Sequence, residues 1–245
     1  MSGHSKWHNI QATKNKADAA RGKIFTKIGR EIAVAVKLGG PDPSINSKLY
    51  DVIQKAKQNN MPNENIQRSI KKASGAEAGT GYDAITYEGY GTKGVAFIVE
   101  CLTDNRNRTA ADVRHLFDKF NGSLGASGSV TYMFDYKGVV VLNNNENSSE
   151  DEVMMIALDS GADDVVTYDD CYEVSSKPDT FHSVAKAFED AGYEVLSSEV
   201  QYVPQNMIKL DKDAAISVNK LVEALDDLDD VQNVYTNADL SALDE

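Results

Sequence analysis

The chain of 245 residues holds 41% hydrophobic and 26% charged residues with only 17 Gly and 5 Pro, a composition that excludes collagen-like and wholly disordered proteins and suits one to three globular domains. Apolar stretches such as Gly138 to Leu142 fall far short of the roughly 20 residues that span a bilayer. The start, MSGHSKWHNI, lacks the apolar segment and cleavage site of a secretory signal, so no membrane association and a cytoplasmic location are expected.

The net charge of −13 hides an asymmetry: residues 1–75 carry 14 Lys+Arg against 5 Asp+Glu, and the remainder carries 11 against 33. A basic module on an acidic body points to a polyanion partner for the first third. Attraction between the two surfaces within one molecule is the alternative.

In chain order, Ser2 to Thr13 is polar and aperiodic, a flexible arm holding Lys6 and Trp7. Trp7 either stacks on an unpaired base or covers the end of the following helices. His4 and His8 have a helical metal spacing but no third ligand, so no metal is expected. Asn15 to Leu38 places Ala17, Ile24, Ile28, Ile32 and Ala35 on one helical face, with Leu38-Gly39-Gly40-Pro41 as its stop. Lys16, Lys23, Lys27, Arg30 and Lys37 fall within an arc of roughly 80° on another face, a basic stripe suited to tracking phosphates. Lys6, Trp7, Lys14 and Arg21 join this stripe as the predicted nucleic-acid contacts. Further helices are predicted over Asn46 to Asn59 and from an Asn63 N-cap to Gly75, completing a basic helical domain over residues 1–75.

Beyond a Gly/Ala-rich linker at 76–81, the period changes to alternation. A hairpin (Ile85 to Gly89, Val95 to Leu102), a helix (Arg106 to Phe120) and a strand (Val130 to Phe134) come first. Strands and helices from Gly138 to Val203 then follow the order βαββαβ of a split βαβ or ferredoxin-like unit. A strand, a helix (Lys212 to Leu228) and a strand (Asp230 to Thr236) remain. The predicted fold is therefore α+β with three domains: the three-helix domain and two ferredoxin-like sandwiches, one over 82–136 plus 205–245 and the other, 137–204, inserted into it. Asp226, Asp227, Asp229 and Asp230 oppose the dipole at a helix C-terminus, which suggests either a basic partner or a solvated acidic rim.

No catalytic constellation emerges. Cys101 and Cys171 lie 70 positions apart without metal-site spacing and read as buried thiols, and none of the four histidines has a nucleophile motif nearby. The glycines of NGSLGASGSV (Asn121 to Val130) lead into a strand and lack a following GKS, so a mobile loop is expected in place of a phosphate cradle. Asp163, Asp164, Asp169 and Asp170 read as turn residues before metal ligands. Arg106 and Arg108 stand where a strand hands over to a helix. They form either a secondary anion site at the helix N-terminus or ordinary ion pairs beside an Asn cap.

GHSKWHNI from Gly3 and RGKIFTKIGREI (Arg21 to Ile32) closely resemble the YebC/PmpR family, whose mitochondrial members activate translation of cytochrome oxidase. YEGYG (Tyr87 to Gly91), LTDNRNRT (Leu102 to Thr109), GSVTYMF (Gly128 to Phe134), DDVVTYDD (Asp163 to Asp170) and DDVQNVYTN (Asp229 to Asn237) extend the likeness along nearly the whole chain. The resemblance implies a cytoplasmic three-domain protein without cofactor, described either as a DNA-binding transcriptional regulator or as a ribosome-associated factor for proline-rich stretches. The expected protein is a non-catalytic nucleic-acid-binding regulator. DNA is the leading partner, and ribosomal RNA with basic ribosomal proteins is the alternative. A lysine stripe positions a polymer without reading its bases. An enzyme acting on a nucleotide near Arg106 and Arg108, and an acidic scaffold for basic partners, are the competing classes.

Overall fold

The computed structural model describes residues 19–75, 81–144 and 149–243, with side chains from Gly22 onward. Lys6, Trp7, Lys14, Lys16 and the linker at 76–80 lie outside the described residues. The described residues form a mixed α+β protein with seven α-helices. None of those helices is long and apolar enough to cross a membrane.

Three helices form the N-terminal bundle: α1 (Ala19–Gly39), α2 (Ser47–Gln58) and α3 (Asn63–Ser74). Their apolar faces meet at Ile28, Ile32, Leu49, Val52, Ala56 and Ile66. Gly40, at φ 85°, supplies the left-handed turn that ends α1 and donates its N–H to Val36 at 2.8 Å. Buried Asn46 then ties two helices together. Its Oδ1 accepts from the Leu49 N–H at 3.0 Å, while its Nδ2 donates to the carbonyls of Ala35 and Gly40 at 2.9 and 2.8 Å. At α3 the cap position belongs to Pro62, and Asn63 is already helical. Proline's fixed φ and missing N–H suit a helix entrance, so no capping side chain is used.

The chain continues through β1 (Asp83–Tyr90), β2 (Ala96–Thr103), α4 (Arg106–Lys119) and β3 (Ser123–Leu124). A βαββαβ run follows: β4 (Phe134–Asn143), α5 (Glu150–Ser160), β5 (Asp164–Thr167), β6 (Cys171–Ser176), α6 (Phe181–Asp190) and β7 (Val195–Pro204). It ends with β8 (Ile208–Lys209), α7 (Lys212–Asp226), β9 (Val231–Thr236) and β10 (Ala238–Asp239).

The run makes an antiparallel sheet in the order β5-β6-β4-β7, the split βαβ arrangement, with Val140, Leu142, Val174, Phe181 and Phe188 in the layer beneath its helices. Gly138 lies where a Cβ would come within 2.7 Å of Phe181, so this strand crosses under α6 only with glycine there. The other sheet has the order β3-β1-β2-β9, and β9 reaches it from beyond the βαββαβ run. Its helices α4 and α7 bury Phe97 edge-on against Phe117 at 5.6 Å, together with Val218, Leu221 and Leu225. On the far face Ala96, Ile98, Val130 and Phe134 cluster with Tyr90, Tyr202 and Tyr235, joining the two sheets.

Where the alternation predicts a strand over Val130 to Phe134, the chain instead makes a tight helical turn at Thr131–Met133 and then one long strand, β4. Glu88 is the cause. Its buried carboxylate accepts from the amides of Gly128 at 2.7 Å, Val130 at 2.8 Å and Thr131 at 2.9 Å, and amides so engaged cannot enter a strand ladder. Burial alone pushes the Glu88 carboxyl up, but these bonds outweigh it and hold it below the usual range. The glycine loop is thus tethered to an internal anion.

Because Asn46 serves both α1 and α2, Asn46→Ala is expected to cost about 1 to 3 kcal/mol, the sum of a lost cap and carbonyls left without a donor. A lowered urea midpoint with unchanged slope would show it.

Candidate nucleic-acid interface

Lys23 and Lys27 of the basic stripe of α1 face the C-terminal end of α7. Lys23 Nζ lies 2.9 Å from Asp227 Oδ1 and 3.4 Å from the Asp227 carbonyl. Lys27 Nζ lies 2.6 Å from Asp226 Oδ1 and 2.9 Å from the Asp226 carbonyl. The last carbonyls of a helix have no partner within it and carry its negative dipole end. Each ammonium therefore meets a carboxylate and a helix terminus at once. The dipole cost of the acids at the end of α7 is offset by the first helix of the same chain.

Seven residues past Lys23, Arg30 plays a different part. Its Nη1 donates to Asp230 Oδ1 at 2.6 Å and to the Leu102 carbonyl at 2.9 Å, and its guanidinium lies over the Tyr82 ring at 5.2 Å. Asp230 is buried and also accepts from Arg108 Nη2 and Thr109 Oγ1, each at 2.7 Å, and from Thr103 Oγ1 at 3.1 Å. Burial opposes ionisation, yet Arg108, Thr109, Arg30 and Thr103 outweigh it and bring the pKa from 3.8 to about 2. One carboxylate thereby joins α1, the end of β2, the start of α4 and the entry to β9.

Arg106 and Arg108 stand in the first turn of α4. Asn105 caps α4, accepting from the Arg108 N–H at 3.1 Å, while Arg108 pairs with Asp104 and Asp230 and Arg106 lies 3.5 Å from Asp83. At the helix entrance the chain's own groups thus form an Asn cap and ion pairs, of which Arg106–Asp83 is exposed on both sides.

The stripe is accordingly not a free row of cations. Lys23, Lys27 and Arg30 each hold an aspartate, whereas Lys37 is exposed with its Nζ over Gly81. Arg21 lies on α1, outside the described side chains. The pairs differ in depth. Lys23–Asp227 has side chains 45% and 75% exposed, Lys27–Asp226 12% and 58%, and Arg30–Asp230 only 14% and 9%. Lys57, Lys71 and Lys72 add exposed charge elsewhere on the bundle.

A second seam fastens the bundle to the βαββαβ unit. Tyr50 donates to Glu189 at 2.8 Å, Asp51 lies 2.6 Å from His182 Nδ1, and Lys55 bridges Glu31 at 3.0 Å and Glu199 at 3.5 Å. Desolvation pulls the Lys55 ammonium down, but Glu31 and Glu199 outweigh it and keep it charged. This seam borders a cavity of about 600 Å³ between the bundle and the two sheets, which Gln232 and Asn233 also line. Among the described residues no group of three or more His, Cys, Asp or Glu is arranged to hold a metal ion. Cys101 and Cys171 are buried, and desolvation pushes the Cys101 thiol up to about 12.

Comparison with known proteins places this arrangement. Residues 5–76 match the family model described as the TACO1/YebC protein N-terminal domain, and residues 82–238 match that of the TACO1/YebC second and third domain. The chain belongs to the TACO1/YebC family. Among its relatives, a protein of Acetivibrio thermocellus named "Probable transcriptional regulatory protein" is 56% identical over 97% of this chain and 98% of its own length. One of Ruminiclostridium cellulolyticum with the same name is 59% identical over 93% and 92%. The chain is also similar to the crystal structure of a conserved hypothetical protein, Aq1575, from Aquifex aeolicus. It has a TM-score of 0.81 and 41% identity over 92% of this chain and 93% of that one.

The residue that sequence reasoning missed is Asp230. Its signal was the row of four acids at a helix end together with the DNRNRT run, read separately because about 120 residues lie between them. The Asp230 carboxylate contributes stability that is fully present above its unfolded pKa near 4 and is lost as pH falls through about 2. Between pH 4 and pH 2 the wild type is expected to lose about 2 kcal/mol more than Asp230→Asn, measured by denaturant unfolding at each pH.

Proposed function

We propose that this chain is a non-catalytic, nucleic-acid-binding regulator of gene expression that meets its polymer along α1. Lys23, Lys27 and Lys37 are the contacts on the described helix, and Arg21, Lys16, Lys14, Lys6 and Trp7, which precede them in the sequence, are the further contacts of the proposal. What supports the reading is the positive charge of the first third, with Lys37, Lys57, Lys71 and Lys72 exposed on the bundle. Lys23 and Lys27 pair with Asp227 and Asp226, the internal attraction that the charge asymmetry also allowed, and a polymer has to displace those aspartates to reach them. A phosphate backbone offers oxygens of the same charge to the same ammoniums. The exposed Lys23–Asp227 pair is worth about 0 to 1 kcal/mol, so a polyanion that releases condensed counterions can displace it, and the half-buried Lys27–Asp226 pair next to it is the costlier of the two to open. Arg30 is assigned to the buried Asp230 junction and away from the contact surface.

The names of the relatives support transcriptional regulation, for which DNA is the polymer of this reading. Lysine-dominated contact without base-reading side chains is equally served by ribosomal RNA. That favours the second reading, a ribosome-associated factor whose acidic body meets basic ribosomal proteins. Both readings place the protein in the cytoplasm and require no cofactor.

Fluorescence anisotropy with a DNA duplex and a ribosomal RNA fragment, over a salt series, tests both. Lys23→Ala/Lys27→Ala is expected to weaken binding to every sequence and to flatten the log–log salt slope by about 2. Arg30→Ala is expected chiefly to lower the unfolding midpoint. Tighter binding of the RNA would favour the translational reading, and an unchanged slope in the double variant would remove α1 from the interface.

A further inference from the structure

Helix α5 has an unusual composition for a surface helix. Val153 to Leu158 is an uninterrupted apolar run of six residues, so the helix has apolar side chains on every side. Such a helix belongs in a core or at an interface. Its inner face is buried through Val153 and Ala157, but Met154, Met155 and Leu158 remain 50%, 65% and 77% exposed. At spacings of three and four these three adjoin on the outer surface. Methionine's unbranched, polarisable side chain conforms to varied partners, which is why such surfaces recur where helices are captured.

The charge around this patch has one sign. Glu150, Asp151, Glu152 and Asp159 lie on α5 itself, and exposed Asp163 and Asp164 follow it. Residues 134–204 carry 16 acidic and 3 basic residues, a net −13 that equals the charge of the entire chain. None of those three lysines, Lys137, Lys177 and Lys186, lies on α5 or β5. A polyanion would be repelled here.

From the exposed apolar row and its acidic rim we infer that the outer face of α5 is a docking surface for a basic amphipathic helix of a partner protein. The partner sets apolar side chains on Met154, Met155 and Leu158, with lysines or arginines facing the surrounding carboxylates. This surface is independent of the α1 stripe and goes beyond nucleic-acid binding, because it gives the protein a second partner of opposite charge.

The test uses the full-length chain and a labelled 18-residue peptide of leucine and lysine at helical spacing, with a scrambled peptide of identical composition. The wild type is expected to bind the helical peptide at least tenfold more tightly than the scrambled one. Met155→Ser/Leu158→Ser, with a wild-type unfolding midpoint, is expected to lose at least tenfold. Methyl NMR of the unsubstituted protein supplies a second readout: the Met154 and Met155 signals should shift on titration while those of Met133 and Met207 stay. Equal affinity for both peptides, no binding, or unmoved Met154 and Met155 signals would overturn the inference. So would a concentration-dependent dimer abolished by the same substitutions, since that would seat a second copy on the patch.

Discussion

A carboxylate removed from water has to be surrounded by donors, and Asp230 is where this requirement shapes the molecule. Arg30, Arg108, Thr103 and Thr109 converge on its two oxygens from three separate parts of the chain. Losing one donor would leave a buried charge partly unmet, a situation that costs several kcal/mol when a buried pair is broken. The bundle is therefore seated on the β1–β2–β9 sheet at a defined position, and that position brings the stripe of α1 to the end of α7.

Depth then separates two kinds of contact along one helix. Arg30, in the middle of the helix with exposed Lys37 beyond it, is enclosed, and its pairing belongs to the architecture. Lys27 and Lys23, one and two turns outward, face aspartates that are largely in water, where screening leaves a pair little net worth. The same row thus grades from structural to exchangeable. In the proposed function the acids at the end of α7 stand where a polymer's phosphates would, and the carbonyls behind them add to the field that such a ligand has to match. Binding through this row must begin by displacing the chain's own anions.

Much of the fold was legible because it is written in local periods. Ile28 and Ile32, Leu49 and Val52, and Ile66 and Ile70 repeat at helical spacing, and Val139 to Leu142 has the β-branched run of a doubly covered strand. The βαββαβ order followed from those elements in sequence. What could not be read was long-range pairing. Lys23 and Asp227 are 204 positions apart, and nothing in either neighbourhood names the other. The acids of Asp226 to Asp230 were recognisable as needing a basic partner or water, and the partner proved to be internal. Glu88 shows the same limit at shorter range: as one glutamate in an alternating strand it gave no sign that it would capture three amides from the glycine loop. The apolar run of α5, by contrast, stood in the sequence throughout, but only its placement at the surface distinguished it from an ordinary core helix.

In the proposed function Asp226 and Asp227 compete with a nucleic acid for Lys23 and Lys27. The affinity of Asp226→Asn/Asp227→Asn for a fixed duplex or RNA, at constant salt, measures that competition directly. Removing the exposed Lys23–Asp227 pair and the half-buried Lys27–Asp226 pair, together worth roughly 1 to 2 kcal/mol, should tighten binding by about five- to thirtyfold, with the unfolding midpoint little changed. Affinity equal to that of the wild type would mean that the lysines never leave their aspartates, and α1 would then be a structural strut alone.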